Sequence, residues 1–238
     1  MNSFYQSITE ESDKTILFAG AGGKSLLIDR MCQEMIVRKK KAVVVSFYPF
    51  YVPLERKMVI SDQTRIIATH LKKDPVIYLG QKYQTDKLTG YSSKNIKNII
   101  DNIAADHILV EADKSEGRSL SALDNLKGIT INSINRFVYV VGADVFNQEN
   151  NAHWLVTKDD FWAKRIYLSM VDIGTWFLNH TAVRSLKKRK IPISIYINKI
   201  ENMFLENQAI GLGRELKRAG IDRVVYGSIF NSETHTIR

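Results

Sequence analysis

The sequence predicts an α/β protein: a mainly parallel sheet with helices on both faces and a helical insertion. Three observations carry that prediction. Short apolar runs rich in β-branched residues recur along the chain, helical repeats lie between them, and a glycine turn ends the first run. Strands that are apolar on both faces need cover on both sides, and intervening helices supply it. The 238 residues contain 4 prolines, no low-complexity linker and no internal repeat, so a single domain over residues 1–238 is expected.

The elements follow in order. Thr15 to Ala19, "TILFA", is short, β-rich and stopped by Gly20, and reads as a buried strand. Leu27, Met31 and Met35, flanked by Ile28 and Cys32, then recur at helical spacing up to a basic run. "AVVVSF" (Ala42 to Phe47), "PVIYL" (Pro75 to Leu79) and "HILVEAD" (His107 to Asp113) are three further strands. Ile96, Ile99, Ile100 and Ile103 mark a helix before the last of these. "RFVYVVGAD" (Arg136 to Asp144), "PISIYINK" (Pro192 to Lys199) and "RVVYGS" (Arg223 to Ser228) close the series. Phe204 to Gly220 is a helix with a glycine suited to its C-cap. Residues 158–190 read as the helical insertion, with a break expected near Gly174.

Composition bounds the function. The formal charge is +9, and basic residues cluster at Arg38 to Lys41 and at Lys187 to Lys190. Both runs fall where a helix should end before a strand, so they complement the helix C-terminal partial charge, and nucleic-acid binding is the lesser reading. Cys32 is the only cysteine, which excludes an internal disulfide and a cysteine zinc cluster. It lies on the helix face of Ile28 and Met35 as a packed apolar residue. No apolar run approaches the ~20 residues that span a bilayer, and Glu10, Glu11 and Asp13 precede the first one, so the expected location is cytoplasmic with no membrane partner.

The chemistry sits at "GAGGKS", Gly20 to Ser25. A strand, a glycine turn, Lys-Ser and a helix form an arrangement that cradles phosphate, and it makes the fold P-loop NTPase-like. Glycines let backbone N–H groups approach phosphate oxygens, and the helix N-terminus aims positive partial charge at them. In this reading the Gly22 and Gly23 amides with Lys24 hold the β and γ phosphates of ATP or GTP, and Ser25 ligates magnesium. The spacing is compressed relative to G-x-x-x-x-G-K-[ST], since Phe18 stands where the first glycine belongs. The competing reading is a glycine turn for close helix–strand packing, with Lys24 in solvent.

A metal-bound phosphate needs oxygen ligands from a neighbouring strand. Alternation puts Glu111 and Asp113 on one side of their strand end. Asp113 would join Ser25 on the metal, and Glu111 would position water or an acceptor; the alternative is a pair of exposed carboxylates capping a turn. Asn198-Lys199-x-Glu201 looks like the N-K-x-D element that reads a guanine base, with Asn198 bracing the loop and Lys199 along the base. The aromatics of "SFYPFYVP" offer a stacking platform, a partner patch or cover for the sheet edge.

G-x-G-G-K-S near the N-terminus, E-A-D-x-S-x-G-R from Glu111 to Arg118, and V-G-x-D followed by His153 together resemble the YqeC-like family, accessory proteins of selenium-dependent molybdenum hydroxylases. The likeness runs from about Thr15 to Lys199. It implies a P-loop-like protein that helps mature such a hydroxylase. Gly20, Gly22, Gly23, Lys24 and Ser25 match the nucleotide loop. Glu111, Asp113, Ser115, Gly117 and Arg118 match the acidic motif, and Gly142, Asp144 and His153 match the later elements. Lys114 stands where the family usually has glycine, Trp154 replaces an arginine after His153, and "SFYPFYVP" replaces a threonine-rich turn. Arg118 would neutralise charge on a transferred phosphoryl group. Two functions remain open: a magnesium-dependent NTPase or phosphotransferase, or a non-hydrolysing module for a phosphate-bearing cofactor such as a molybdopterin dinucleotide.

Overall fold

Apolar runs become buried strands, and the chain order sets which of them meet. The computed structural model describes residues 3–155 and 157–238. The Ser3 hydroxyl caps the short helix α1 (Phe4–Ile8). β1 (Thr15–Gly20) is buried throughout and turns through Ala21 to Gly23 into α2 (Lys24–Val37), and β2 (Ala42–Ser46) follows. β3 (Lys57–Ile60), α3 (Thr64–Leu71) and β4 (Val76–Gly80) come next. A small hairpin of β5 (Tyr83–Gln84) and β6 (Lys87–Leu88) precedes α4 (Ser93–Asn102) and β7 (His107–Glu111). An irregular connection over residues 112–135 then reaches β8 (Arg136–Gly142).

β9 (Gln148–Glu149), α5 (Asp160–Ala163), β10 (Tyr167–Leu168), α6 (Met170–Asn179) and α7 (Thr181–Lys188) cross to β11 (Ile193–Asn198). α8 (Met203–Arg218), β12 (Arg223–Ser228) and β13 (Glu233–Ile237) complete the described chain. Gly220 follows α8 in the left-handed region (φ 83°) that a helix end favours.

Nine strands form one sheet in the order β13-β12-β11-β8-β1-β7-β2-β4-β3. Every pairing is parallel except that of β12 with β13. Alternation along β1 divides the core. Leu17 and Ala19 join the layer under α3, α4 and α6 to α8, whereas Ile16 and Phe18 pack against α1 and α2. Helices on both faces of a parallel sheet make this the α/β, P-loop NTPase-like class that the sequence predicts. Among the described residues no helix is long and apolar enough to cross a membrane.

Several details depart from the sequence expectation. β12 does not close the sheet, because the polar β13 adds an antiparallel edge. α1, β3, α3 and the β5–β6 hairpin lie where no element was expected. The helix does not break at Gly174. α6 runs through it, because the missing side chain admits Leu212: a Cβ would lie 2.8 Å from Leu212 Cδ1. The break falls at His180, which caps α7. The two basic runs do follow helix ends, with Arg38 as the C-cap of α2 and Lys187 and Lys188 in the last turn of α7.

Candidate functional site

The parallel sheet brings the C-terminal ends of β1, β7 and β2 side by side, the edge at which open α/β sheets place ligands. Gly20, Gly22 and Gly23 all have positive φ, at 100°, 75° and 117°. A Cβ on Gly20 would collide with the Val140 carbonyl, and one on Gly22 with the Gly142 amide. The turn therefore needs glycine for its angles and for its approach to β8.

Its amides are divided between two tasks. Gly20 N–H donates to Asp113 Oδ2 at 2.9 Å, and Ala21 N–H to the Val140 carbonyl at 2.8 Å. Gly22 N–H donates to the Arg118 carbonyl at 2.8 Å, so this amide, expected on phosphate, is held inside the protein. Gly23 is the N-cap of α2 and offers no side-chain acceptor, which leaves the first-turn amides of α2 for an anion.

Lys24 is not in solvent. It is 1 % exposed, and its ammonium donates to the Asp113 carbonyl at 2.6 Å, makes a close ion pair with Asp113 Oδ1 and lies 3.6 Å from Glu111 Oε1. Burial works against the charge, but the Asp113 and Glu111 carboxylates outweigh burial and raise the Lys24 pKa above its ordinary value. The carboxylates are buried too, which removes the reading of exposed turn caps. Asp113 Oδ2 also accepts from the Ser121 hydroxyl at 2.7 Å. Lys24 and Glu111 come from the elements expected, but β7 ends at Glu111, so Asp113 sits in the connection after the strand and not on it, and the fold of that connection brings it to Lys24.

The hydroxyl of Ser25 donates to Glu111 Oε1 at 2.9 Å. The carboxylate facing Ser25 is thus Glu111 rather than Asp113, whose oxygens are engaged by Lys24, Gly20 and Ser121. This exchanges the two expected roles: Ser25 and Glu111 form the oxygen pair suited to a hard cation. Among the described residues no cluster of three or more His, Cys, Asp or Glu side chains is placed to cage a metal. Magnesium bound to phosphate needs only one or two protein oxygens, so this donor set fits it. Ser25, Glu111 and Asp113 line a cleft of about 640 Å³.

Other candidates take different places. The Arg118 guanidinium turns to Glu116 (2.7 Å) and the Ala152 carbonyl (3.1 Å), and it does not line the cleft. Its backbone carbonyl is what supports the loop. Asn198 braces the turn as expected, donating from Nδ2 to the Gly22 carbonyl at 2.7 Å while Oδ1 accepts from Ile229 N–H. The Lys199 ammonium binds Asp144 Oδ2 (2.6 Å) and Ser119 Oγ (2.7 Å), which holds it away from a base-stacking position. His153 is exposed, with its ring edge-on to Trp154.

Sequence reasoning missed Ser121, whose role depends on the irregular connection folding back onto Asp113. It also left open the segment after β2, where Tyr48, Phe50 and Tyr51 prove to line the cleft. The signal available was a long stretch without periodicity beside an acidic motif.

No curated protein matches the chain. Residues 16–158 match the family model described as YqeC protein, a span that holds the glycine turn, Glu111 to Arg118 and Asp144 and ends before α5 and Asn198. With more than half of its length in that match, and with the turn and both carboxylates inside it, the chain belongs to the YqeC protein family.

Proposed function

We propose that the protein binds a nucleoside triphosphate, ATP or GTP, with magnesium at the Gly20 to Ser25 turn. One observation carries this reading: a fully buried lysine at a helix N-terminus, held by two carboxylates that line a cleft. Burying one ammonium with two carboxylates leaves one excess negative charge at the floor. Free triphosphate would be repelled there, whereas a divalent cation brought with it reverses the balance.

On binding, the Lys24 ammonium would pass from Asp113 to the outer phosphates, while Gly20 and Ser121 keep Asp113 satisfied. The α2 first-turn amides would take phosphate oxygens. Ser25 and Glu111 would hold magnesium, which when bound neutralises phosphate charge and orients it. Asp113, left facing the phosphate, is then the carboxylate available to accept a proton from water or an acceptor.

A second reading is favoured by the position of Arg118. With no arginine lining the cleft among the described residues, hydrolysis lacks a group to offset charge developing on a transferred phosphoryl group, which suits a module that holds a phosphate-bearing cofactor without turnover. In either case we infer, from the family resemblance, a role in maturing a selenium-dependent molybdenum hydroxylase.

Thermal melting with ATP, GTP and CTP, with and without magnesium, tests the binding. A ligand at a hundred times its Kd should add about 2.7 kcal/mol, only with magnesium present and not in Lys24→Ala. A shift that persists in Lys24→Ala, or none with any nucleotide, overturns the reading. Phosphate release separates an NTPase from a module.

A further inference from the structure

The turn from Gly20 to Lys24 has its donors filled by the chain itself. Gly20 N–H donates to Asp113 Oδ2 at 2.9 Å. The Lys24 ammonium donates to the Asp113 carbonyl at 2.6 Å and pairs with its carboxylate, and Gly22 N–H donates to the Arg118 carbonyl at 2.8 Å. A carboxylate and two carbonyls from one short stretch after β7 thus satisfy donors that phosphate oxygens would otherwise take. We propose, on the reading that this turn is a phosphate site, that residues 113–118 are an internal stand-in for the anion. Ser119 latches that stretch, and the latch must open before phosphate can take the Gly22 amide.

The latch joins two strand ends to the connection. Ser119 is 2 % exposed, and its hydroxyl donates to Asp144 Oδ2 at 2.9 Å while accepting from the Lys199 ammonium at 2.7 Å. Lys199 also donates to Asp144 Oδ2 at 2.6 Å, which closes the triangle. Asp144 follows β8 and Lys199 follows β11. The Ser119 carbonyl accepts from Gly142 N–H at 2.8 Å. Residue 119 is therefore fixed through side chain and backbone, and the carbonyl one residue earlier is the one on Gly22. Ser119, Asp144 and Lys199 do not line the cleft, so their contacts are not ligand contacts.

Between its two ends the stretch has room to move. Lys114, Glu116 and Gly117 are exposed. Glu116 and Gly117 have positive φ, at 50° and 79°, and nothing lies within 4 Å of a Cβ on Gly117. Glu116 meets Lys114 at 3.9 Å and Arg118 at 2.7 Å, and these pairs travel with the stretch. Outside it, Arg118 Nε reaches the Ala152 carbonyl at 3.1 Å and Lys114 stands 5.8 Å over the Tyr48 ring.

Asp113 keeps Gly20 and Ser121 when Lys24 leaves it, so the movement required lies at the peptide between Arg118 and Ser119. A ligand that needs an open state binds with its intrinsic affinity reduced by the fraction that is open. Weakening the latch should therefore tighten binding even as it lowers stability. A purely structural role for Ser119 gives the opposite sign, because a loosened turn holds phosphate less well.

The test compares the full chain with Ser119→Ala and Lys199→Gln, titrated calorimetrically with ATP, GTP and inorganic triphosphate, each with magnesium. Both variants should melt at a lower temperature and bind about three-fold tighter or more. Without ligand, amide exchange followed by NMR should speed up at Gly22 in both and stay unchanged at Leu17 and Val138 inside the strands. Unchanged or weaker affinity in both variants overturns the latch and leaves phosphate binding in place, as does Gly22 exchange as slow as in the parent chain. Should Lys199→Gln fail to fold, Ser119→Ala, which removes only a hydroxyl, decides alone. Binding by the variants but not by the parent chain would support the latch. No binding of any of the three compounds by any chain, with Gly22 exchange still accelerated, would sink the proposed function, and the latch as a guard of that site with it.

Discussion

Lys24 is a buried charge held by its partners, and under the proposed function it would exchange one of them for phosphate. Its ammonium, Asp113 and Glu111 are buried together, and removing one member of such a set leaves charge without compensation. Lys24→Met should destabilise the fold by about 3–5 kcal/mol in urea denaturation, and Lys24→Met with Asp113→Leu should recover part of that loss without restoring nucleotide binding. Recovery of binding in the double variant would separate Lys24 from the phosphate. The pH sign follows from the raised Lys24 pKa: the pair is fully formed below the ordinary lysine range and lost only as pH rises through the folded value, so stability from this source is flat between about pH 6 and 9. Cys32 is a simpler case. Burial pushes its thiol up to about 12, so it is neutral at pH 8 and packed in the α2 face of the core. Iodoacetamide at pH 8 should leave Cys32 unmodified in the native chain and label it in 6 M urea; rapid native labelling would contradict this packing.

At the scale of elements, the glycine turn is locked between β8 and the connection over residues 112–135. One of its glycines, Gly20, can be told apart from another nearby, Gly117. Gly117 has φ 79° but open space around a Cβ, so Gly117→Ala carries only backbone strain, about 1–2 kcal/mol. Gly20→Ala adds a collision with Val140 to similar strain, and should lower the melting temperature far more, or prevent folding. Equal melting temperatures for the two variants would mean that the turn yields. The same comparison explains what the sequence made legible. Strands buried on both faces announce themselves as apolar runs, and β1, β2, β4, β7, β8, β11 and β12 are of that kind. β3 and β13 are edge strands with mostly exposed side chains, and "ETHTI" has no apolar run to find. α1 and the β5–β6 hairpin are too short to show a period. The glycines, Lys24, Ser25 and both carboxylates were readable from residue type. Their pairing was not, because whether Glu111 or Asp113 meets Ser25 depends on how Ser121 and Arg118 fold back across the strand end.

Across the whole molecule, parallel strands put the candidate site at one end of the sheet and a buried polar network at the other. Arg136 opens β8 at that far end and is 1 % exposed. Its guanidinium forms a close ion pair with Asp13, another with Glu10 at 3.3 Å, and a hydrogen bond to Ser194 Oγ at 3.1 Å. Next to it His107 joins the Asp13 carbonyl to the Tyr5 hydroxyl, each at 2.8 Å, and burial together with nearby Glu11 pushes the Tyr5 phenol up to about 12. This network ties the N-terminal segment, β7, β8 and β11 together through residues far apart in sequence. No residue of it lines the cleft, so its energetics should add to those of ligand binding rather than couple with them. Arg136→Met strands the buried Asp13 carboxylate and should cost about 3–5 kcal/mol. The extra stability conferred by magnesium nucleotide should nevertheless match that of the unsubstituted chain to within about 0.5 kcal/mol, measured as the difference between denaturation with and without ligand. Asp113→Asn should do the opposite, changing the ligand increment as well as the base stability, since it removes the charge that holds Lys24. If Arg136→Met also abolished the ligand increment, the two ends of the sheet would be coupled, and the division of labour drawn from the parallel topology would fail.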